Sequence, residues 1–94
     1  MIVSVDCEWD PTKATLNLRK HGVSSADAVS ALEDATATTI RDPDSVQEER
    51  WIGLGMVAFG RVLVVVYTWP SSRLRLISAR KATSLERRRY TEGI

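Results

Sequence analysis

The chain is poor in the residue types that build disulfide and metal sites. It contains one cysteine, Cys7, and one histidine, His21, among its 94 residues. A single cysteine cannot form an internal disulfide, which is typical of proteins that work in a reducing cytosol. One cysteine and one histidine are also too few for a structural zinc site. The sequence therefore predicts no metal and a cytoplasmic location.

Long apolar runs and nucleotide-binding motifs are absent as well. The longest apolar run, residues 62–67, is far shorter than a membrane span. The N-terminal residues carry early acids and no basic region, so they do not resemble a signal peptide. No Walker motif, dinucleotide-binding glycine pattern, nucleophile elbow or CxxC pair occurs. The acidic residues between 42 and 49 lack the glycine and the alternating spacing of a calcium loop. We therefore expect no cofactor and no membrane association.

The chain does show a strong division of charge. Residues 1–49 contain four basic and ten acidic side chains, whereas residues 50–94 contain nine basic and two acidic ones. The bias is concentrated between Arg73 and Tyr90, where seven Lys or Arg residues stand against one acid, Glu86. A small domain with one positive half is a candidate binder of polyanions, either nucleic acid or an acidic protein.

The periodicity of the apolar residues predicts one α+β domain over residues 1–94. We expect a small antiparallel sheet with two N-terminal helices packed on it and a basic C-terminal helix. Predicted strands cover residues 2–9, 35–40, 50–57, 62–69 and 73–79, and predicted helices cover residues 11–21, 24–33 and 83–92. Local signals support the helix ends: Asp10-Pro11 and Ser24 as N-terminal caps, Gly22 as a left-handed C-terminal cap, and a capping box over residues 83–86.

Arginines on the last predicted strand are the first candidates for chemistry. Regular alternation puts Arg73 and Arg75 on an open sheet face, whereas Leu74 and Leu76 face the core and Arg80 falls on the side of the leucines. Guanidinium groups on a rigid strand can hold a phosphate through two hydrogen bonds. A solvated strand whose arginines only cover the sheet has the same pattern.

His21 is the second candidate, because it alone titrates near neutral pH without a special environment. It lies beside Lys20 at the end of a predicted helix, where it can act as a general acid or base or can cap the last carbonyls. In the predicted C-terminal helix, residues 87–89 can follow a phosphate backbone or bind an acidic partner. Tyr67 and Tyr90 can stack on bases or serve the core.

Several short segments together resemble the BrnT toxins of bacterial toxin–antitoxin pairs. The segments are EWDPxKA at residues 8–14, NxxKHGVS at 17–24, ER at 49–50, LVVVYT at 63–68, RxISARKAT at 75–83, ERR at 86–88 and Tyr90. The resemblance covers nearly the whole chain in the same order. It implies a metal-independent endoribonuclease toxin with a RelE-like fold, which cuts RNA and inhibits translation until its antitoxin neutralises it.

The resemblance also implies a site and partners. His21 and Lys20 match the KH of the family motif, and Arg75 and Arg80 match its two arginines, so these four are the expected catalytic residues. We expect Arg73, Lys81 and Tyr67 to contact RNA, and Arg87, Arg88 and Tyr90 to contact the antitoxin. The general base is left open among His21, Lys20 and Tyr67.

The expected antitoxin is BrnA-like with a ribbon-helix-helix DNA-binding half, so that DNA is reached only through it. A dimer of toxin–antitoxin heterodimers is left open. The alternative function is a non-catalytic basic module that binds protein or nucleic acid through a partner.

Overall fold

A computed structural model describes residues 7–44 and 48–92 and shows a five-stranded sheet with helices on both sides. In chain order the elements are β1 (Cys7–Glu8), α1 (Pro11–His21), α2 (Ser25–Glu33), β2 (Thr38–Arg41), β3 (Arg50–Val57), β4 (Arg61–Thr68), β5 (Leu74–Lys81) and α3 (Ser84–Glu92). A short 3₁₀ turn, Ala58–Gly60, joins β3 to β4. Most of the first predicted strand, residues 2–6, lies outside the described residues. Within the described ranges, no helix has the length and apolar character that a membrane crossing requires.

The sheet is mixed, with the strand order β1-β5-β4-β3-β2. Strands β2 to β5 pair antiparallel with their neighbours, as predicted. The prediction of an antiparallel sheet was wrong at the other edge, where β1 pairs parallel with β5 and Cys7 lies opposite Leu74. Hairpins force consecutive strands to run antiparallel, but β1 reaches β5 only after most of the chain has intervened, so no turn dictates its direction.

The predicted ends of α1 are confirmed. The Asp10 carboxylate accepts hydrogen bonds from the backbone N–H groups of Thr12 (2.9 Å) and Lys13 (3.1 Å). At the other end Gly22 has φ 69°, and its N–H donates to the carbonyl of Leu18 at 2.8 Å. A left-handed residue at this point ends the helix cleanly, and glycine adopts that conformation without steric cost.

The starts of α2 and α3 are confirmed as well. The Ser24 hydroxyl accepts a hydrogen bond from the N–H of Asp27 at 3.1 Å. In the capping box of α3, the Thr83 hydroxyl accepts from the N–H of Glu86 (3.2 Å), and the Glu86 carboxylate accepts from the N–H of Thr83 (2.8 Å). Each exchange satisfies backbone donors that a helix start leaves unpaired.

The hydrophobic core lies between one face of the sheet and helices α1 and α2. Its buried members are Val23, Ala28, Ala31, Leu32, Leu63, Val65, Tyr67, Leu74, Leu76 and Ala79. Helix α2 comes unusually close to β3, because Gly53 and Gly55 leave no side chain between them. A Cβ atom at Gly55 would lie 1.9 Å from the carbonyl oxygen of Ala31. The backbone of α2 therefore rests directly on the backbone of β3.

A bulge interrupts β5 at Ile77. Val66 of β4 lies opposite Ser78, but the next residue, Tyr67, lies opposite Leu76, so the register shifts by one and Ile77 has no direct partner. A bulge of this kind places two residues of one strand against one of its neighbour and changes which side chains face the core.

The bulge corrects the predicted orientation of the β5 arginines. Leu76 and Ala79 are both buried in the core, so the alternation of sides restarts after Ile77. Arg80 then projects from the same face as Arg75, away from the core, rather than on the side of the leucines. Regular alternation had predicted the opposite, because an extra residue cannot be read from side-chain periodicity alone.

Candidate functional site

In the part of the chain that the structure describes, strand β1 pairs with only the first two residues of β5, so the rest of that side of β5 is a free edge. Helix α1 lies beside this edge, and Asn17 joins the helix to the strand. Asn17 is a buried residue, with only 8% of its surface exposed. Its amide nitrogen donates to the carbonyls of Ala79 (2.9 Å) and Val23 (3.2 Å), and its oxygen accepts from the N–H of Ala79 (3.1 Å). The amide thus makes the two backbone hydrogen bonds with Ala79 that a neighbouring strand would otherwise make, and it holds the C-terminal half of α1 against β5. Sequence reasoning gave Asn17 no role; its low helix propensity at an interior helical position was the available signal.

Lys20 and His21 lie in the last turn of α1, where the helix dipole favours positive charge. With Lys13 they face Ile77 and Ser78 of β5 across a shallow depression of about 230 Å³. Within residues 7–44 and 48–92, the His21 imidazole makes no hydrogen bond and therefore does not cap the helix. We call this depression, with its three basic side chains, the β5-edge site.

Arg75 lies in a neighbouring depression of about 430 Å³, which shares Lys13 and Ile77 with the β5-edge site. Its Nε atom donates to the Glu8 carboxylate at 2.8 Å, and a nitrogen of Arg73 lies 3.7 Å from the same carboxylate. All three side chains are substantially exposed. Exposed ion pairs contribute little net free energy, so an incoming phosphate can compete with Glu8 for these arginines.

Arg80 lies apart from His21, in a groove beneath α3. It donates two hydrogen bonds to Glu86, at 2.8 and 2.9 Å. These bonds lower the pKa of Glu86 to about 2 and raise the pKa of Arg80 above its usual value. The Glu86 carboxylate thus closes the capping box and also neutralises Arg80. Of the predicted catalytic residues, Lys20 and His21 share one depression, Arg75 lines the next, and Arg80 belongs to a different surface.

The residues predicted to contact RNA are placed differently from one another. Arg73 and Lys81 are exposed, just before and at the end of β5. Tyr67 instead belongs to the core, with 3% of its surface exposed, and burial raises the pKa of its hydroxyl. It packs there because it is paired with Trp51 on the face of the sheet that the helices cover. A ring in this position presents no surface on which a base could stack.

Polar contacts hold α3, the segment predicted to bind the antitoxin. Nη1 of Arg87 donates to the carbonyl of Gly60 at 3.2 Å. The Tyr90 hydroxyl donates to the Asp34 carboxylate and lies 2.6 Å from the Thr36 hydroxyl. Burial and the Asp34 charge both raise the pKa of Tyr90. Burial tends to raise the pKa of Asp34, but hydrogen bonds from Tyr90, Met56 and Thr36 lower it to about 2.

Arg88 is exposed on the same helix. Among the described residues, no three His, Cys, Asp or Glu side chains are grouped so that they could hold a metal ion.

The arrangement of sheet and helices is that of a known ribonuclease toxin. The chain is similar to the ribonuclease toxin BrnT of Brucella abortus, whose crystal structure aligns over 86% of this chain and 100% of that one, with a TM-score of 0.67 and 24% sequence identity. At this identity the match shows a common fold. No curated protein matches the chain at a significant level.

The family is shown by the sequence. The model of the family described as "Ribonuclease toxin, BrnT, of type II toxin-antitoxin system" matches residues 9–86. The chain belongs to the BrnT toxin family, and the resemblance read from its motifs is confirmed. Membership implies an RNA target and an antitoxin partner.

Proposed function

We propose that this protein is a metal-independent endoribonuclease of the cytoplasm, which inhibits translation until a BrnA-like ribbon-helix-helix antitoxin neutralises it. The observation that carries the proposal is the β5-edge site. There, His21 and Lys20 lie beside Lys13 without described hydrogen-bond or ion-pair partners, on a helix that Asn17 holds against β5. A kinship with RelE-type ribonucleases belongs to the same proposal.

The chemistry requires a base, an acid and positive charge around one phosphate. His21, or Lys20 in its place, removes the proton from a ribose 2′-hydroxyl, and the 2′-oxygen attacks the adjacent phosphorus. The bond to the 5′-oxygen breaks and that oxygen takes up a proton, which leaves a 2′,3′-cyclic phosphate and a 5′-hydroxyl. Lys13 and Arg75 stabilise the charge that develops on the phosphate oxygens.

The arginines enter this scheme by exchanging partners. Arg75 and Arg73 leave Glu8 for the RNA backbone, and Lys81 contacts the backbone further along. Arg80 acts on RNA only after it separates from Glu86. The two arginines of the family motif therefore have different starting states, and Arg75 is the more accessible of the two.

Cleavage of purified RNA in the presence of EDTA tests the proposal. We expect the wild-type protein to produce 2′,3′-cyclic phosphate ends in chelator. His21→Ala should lower the rate by about 10²-fold or more, and Arg75→Ala by roughly 10²–10³-fold. Arg19→Ala is the matched control, because Arg19 is an exposed basic residue of the same helical turn that lines neither depression.

Three results would redirect the proposal. Loss of cleavage in EDTA that Mg²⁺ restores would show that the metal-free mechanism is wrong. Full activity of His21→Ala would move the base role to Lys20. Tight RNA binding without any cleavage would support the alternative, a non-catalytic binding module, which the pairing of Arg75 with Glu8 and of Arg80 with Glu86 favours.

We also infer that α3 takes part in antitoxin binding, through the exposed side chains of Arg87 and Arg88. Charge complementarity speeds association and makes it sensitive to salt. Arg88→Glu should therefore slow association with the antitoxin while the protein remains folded. Tyr90 contributes by anchoring α3 to Asp34 rather than by a free ring.

A further inference from the structure

A groove of about 560 Å³ lies between α3 and the part of the sheet formed by β2 and β3. Its floor is the face of the sheet that α1 and α2 leave uncovered, and it consists of Ile40, Ile52 and Leu54. Ile40 and Ile52 lie opposite each other in the register of β2 and β3. Ile40 is 53% exposed although it is a large aliphatic residue. We call this surface the open-face groove.

The described chain supplies no apolar cover for this floor. Helix α3 lines the groove with two charged side chains, Glu86 and Arg89, and has no buried residue. Met56 continues the apolar stripe along β3 and is also exposed. An apolar cluster that is rimmed by polar groups and left open to solvent is typical of a protein-binding surface.

The two ends of the groove carry opposite charge. At the α3 end, Arg80 is neutralised by Glu86, but Arg89 has no ion-pair partner in the described part of the chain. At the other end the wall is formed by Asp42, Pro43 and Asp44. A complementary ligand therefore has an acidic group near α3, a basic group near residues 42–44, and apolar side chains between them.

The size of the floor indicates the form of that ligand. Strand β2 is four residues long, which corresponds to about 13 Å at the rise of a strand. This length matches about two turns of an α-helix. An amphipathic helix that lays its apolar side chains into such a groove is a common mode of protein recognition.

We propose that the open-face groove receives an amphipathic helix of the antitoxin, with its acidic end at Arg89 and its basic end at Asp44. The inference rests on the proposed function in taking an antitoxin as the partner. Bound there, the antitoxin covers Ile40, Ile52 and Leu54 and lies against the Arg80–Glu86 pair. It thereby holds Arg80 in the ion pair and away from RNA, while the β5-edge site lies on the other side of β4.

Ile40→Glu tests the apolar floor of the groove. The probe is the full-length antitoxin encoded beside the toxin gene, titrated calorimetrically into the purified toxin. We expect Ile40→Glu to weaken binding by at least about 30-fold, because it places a charge where an apolar side chain must be buried. Leu18→Glu is the matched control, because Leu18 is 50% exposed but lies on α1, outside the groove. The affinity of this variant for the antitoxin should stay within about 3-fold of wild type.

Arg89→Glu tests the predicted polarity independently of the floor. We expect it to weaken binding and to reduce the dependence of association on salt, because it removes the attraction at the α3 end. This variant changes an exposed side chain, so it also serves if Ile40→Glu fails to fold.

Two outcomes overturn the inference. One is wild-type antitoxin affinity in both groove variants. The other is a toxin dimer that Ile40→Glu dissociates without any effect on antitoxin affinity, which would assign the groove to a second copy of the chain. RNA cleavage by the free toxin is measured in parallel. If the toxin does not cleave RNA but the groove variants still bind the antitoxin more weakly, the proposed ribonuclease activity is wrong and the proposed antitoxin groove is supported.

Discussion

Helices α2 and α3 pack on the same sheet in opposite ways. Helix α2 buries Ala28, Ala31 and Leu32 and lies directly on the glycines of β3. Helix α3 buries none of its residues, and within the described part of the chain it is held by the Arg80–Glu86 ion pair and a few hydrogen bonds. The apolar contacts of α2 are part of the hydrophobic core, and no ligand, proton or salt ion can take their place. The polar contacts of α3 can be replaced by a ligand, a proton or salt, so α3 is the helix that a partner can move.

The largest expected effect is on the close contact of α2. Gly55→Ala would place a Cβ atom 1.9 Å from the Ala31 carbonyl oxygen. We expect a loss of about 3 kcal/mol in the free energy of unfolding, measured by urea denaturation, because helix and strand must separate. At Gly53 the added Cβ meets only the end of the Leu32 side chain, so Gly53→Ala should cost less. Equal losses in the two variants would mean that backbone contact does not limit the packing.

The next effect concerns α1. Like α3, this helix is held by polar contacts, but the hydrogen bonds of Asn17 that hold it are buried. Asn17→Ala leaves the N–H and C=O groups of Ala79 without their side-chain partner. We expect a loss of about 2 kcal/mol in unfolding free energy, together with weaker RNA cleavage, because the helix that carries His21 loosens. Thr15→Ala, which removes only an exposed hydrogen bond to Pro11, is the control. A loss no larger than that of the control would show that water replaces the Asn17 amide.

Acid should release α3 before α2. The pKa of Glu86 is lowered from 4.5 to about 2, and that of Asp34 from 3.8 to about 2. Because the folded-state values are depressed, these carboxylates contribute stability above their ordinary pKa, and the contribution is lost as the pH falls toward about 2. Hydrogen exchange between pH 5 and pH 2.5 should show protection lost first in Ser84–Glu92. Simultaneous loss in both helices would contradict the comparison.

The smallest effect is expected at the β3–β4 turn. Phe59 has φ 64°, a left-handed conformation that is unfavourable for a phenylalanine. Its side chain is 99% exposed, so packing of the ring does not offset this cost. Asparagine tolerates this conformation better, and Phe59→Asn should raise the melting temperature, with a gain of about 1 kcal/mol. Gly60→Ala, at φ 71°, should have the opposite sign. A destabilised Phe59→Asn would reveal a contact of the ring that matters to the fold.

Local features of the fold were predictable from sequence, because their causes lie within a few residues. The Asp10 cap, the Gly22 terminus and the Thr83–Glu86 capping box each depend on neighbouring residues, and each was confirmed. The parallel pairing of β1 was not predictable in this way, since it depends on residues far apart in the chain. Tyr67 was misplaced for a related reason: a strand that is apolar on both faces does not reveal which face the helices cover.

The candidate site was predicted in part. The pair Lys20-His21 was found because the motif and the chemistry of histidine agree, and the structure places both at one depression. Glu86 was counted as the one acid of a basic segment and as a helix cap, but its ion pair with Arg80 could not be read from spacing. The buried amide of Asn17 was missed, because its partners are the backbone of another element.

The bulge at Ile77 decides which residues of β5 share a face of the sheet. Arg75 and Arg80 are five positions apart, an odd separation that would put them on opposite faces of a regular strand. They share a face because one residue between them does not take part in the pairing. A regular strand of the same length, without the bulge, would turn Arg80 toward the core and Ala79 toward solvent. Relatives can therefore be compared by the spacing of these two arginines: a spacing of four residues puts both on one face of a regular strand, whereas a spacing of five does so only where the strand carries a bulge.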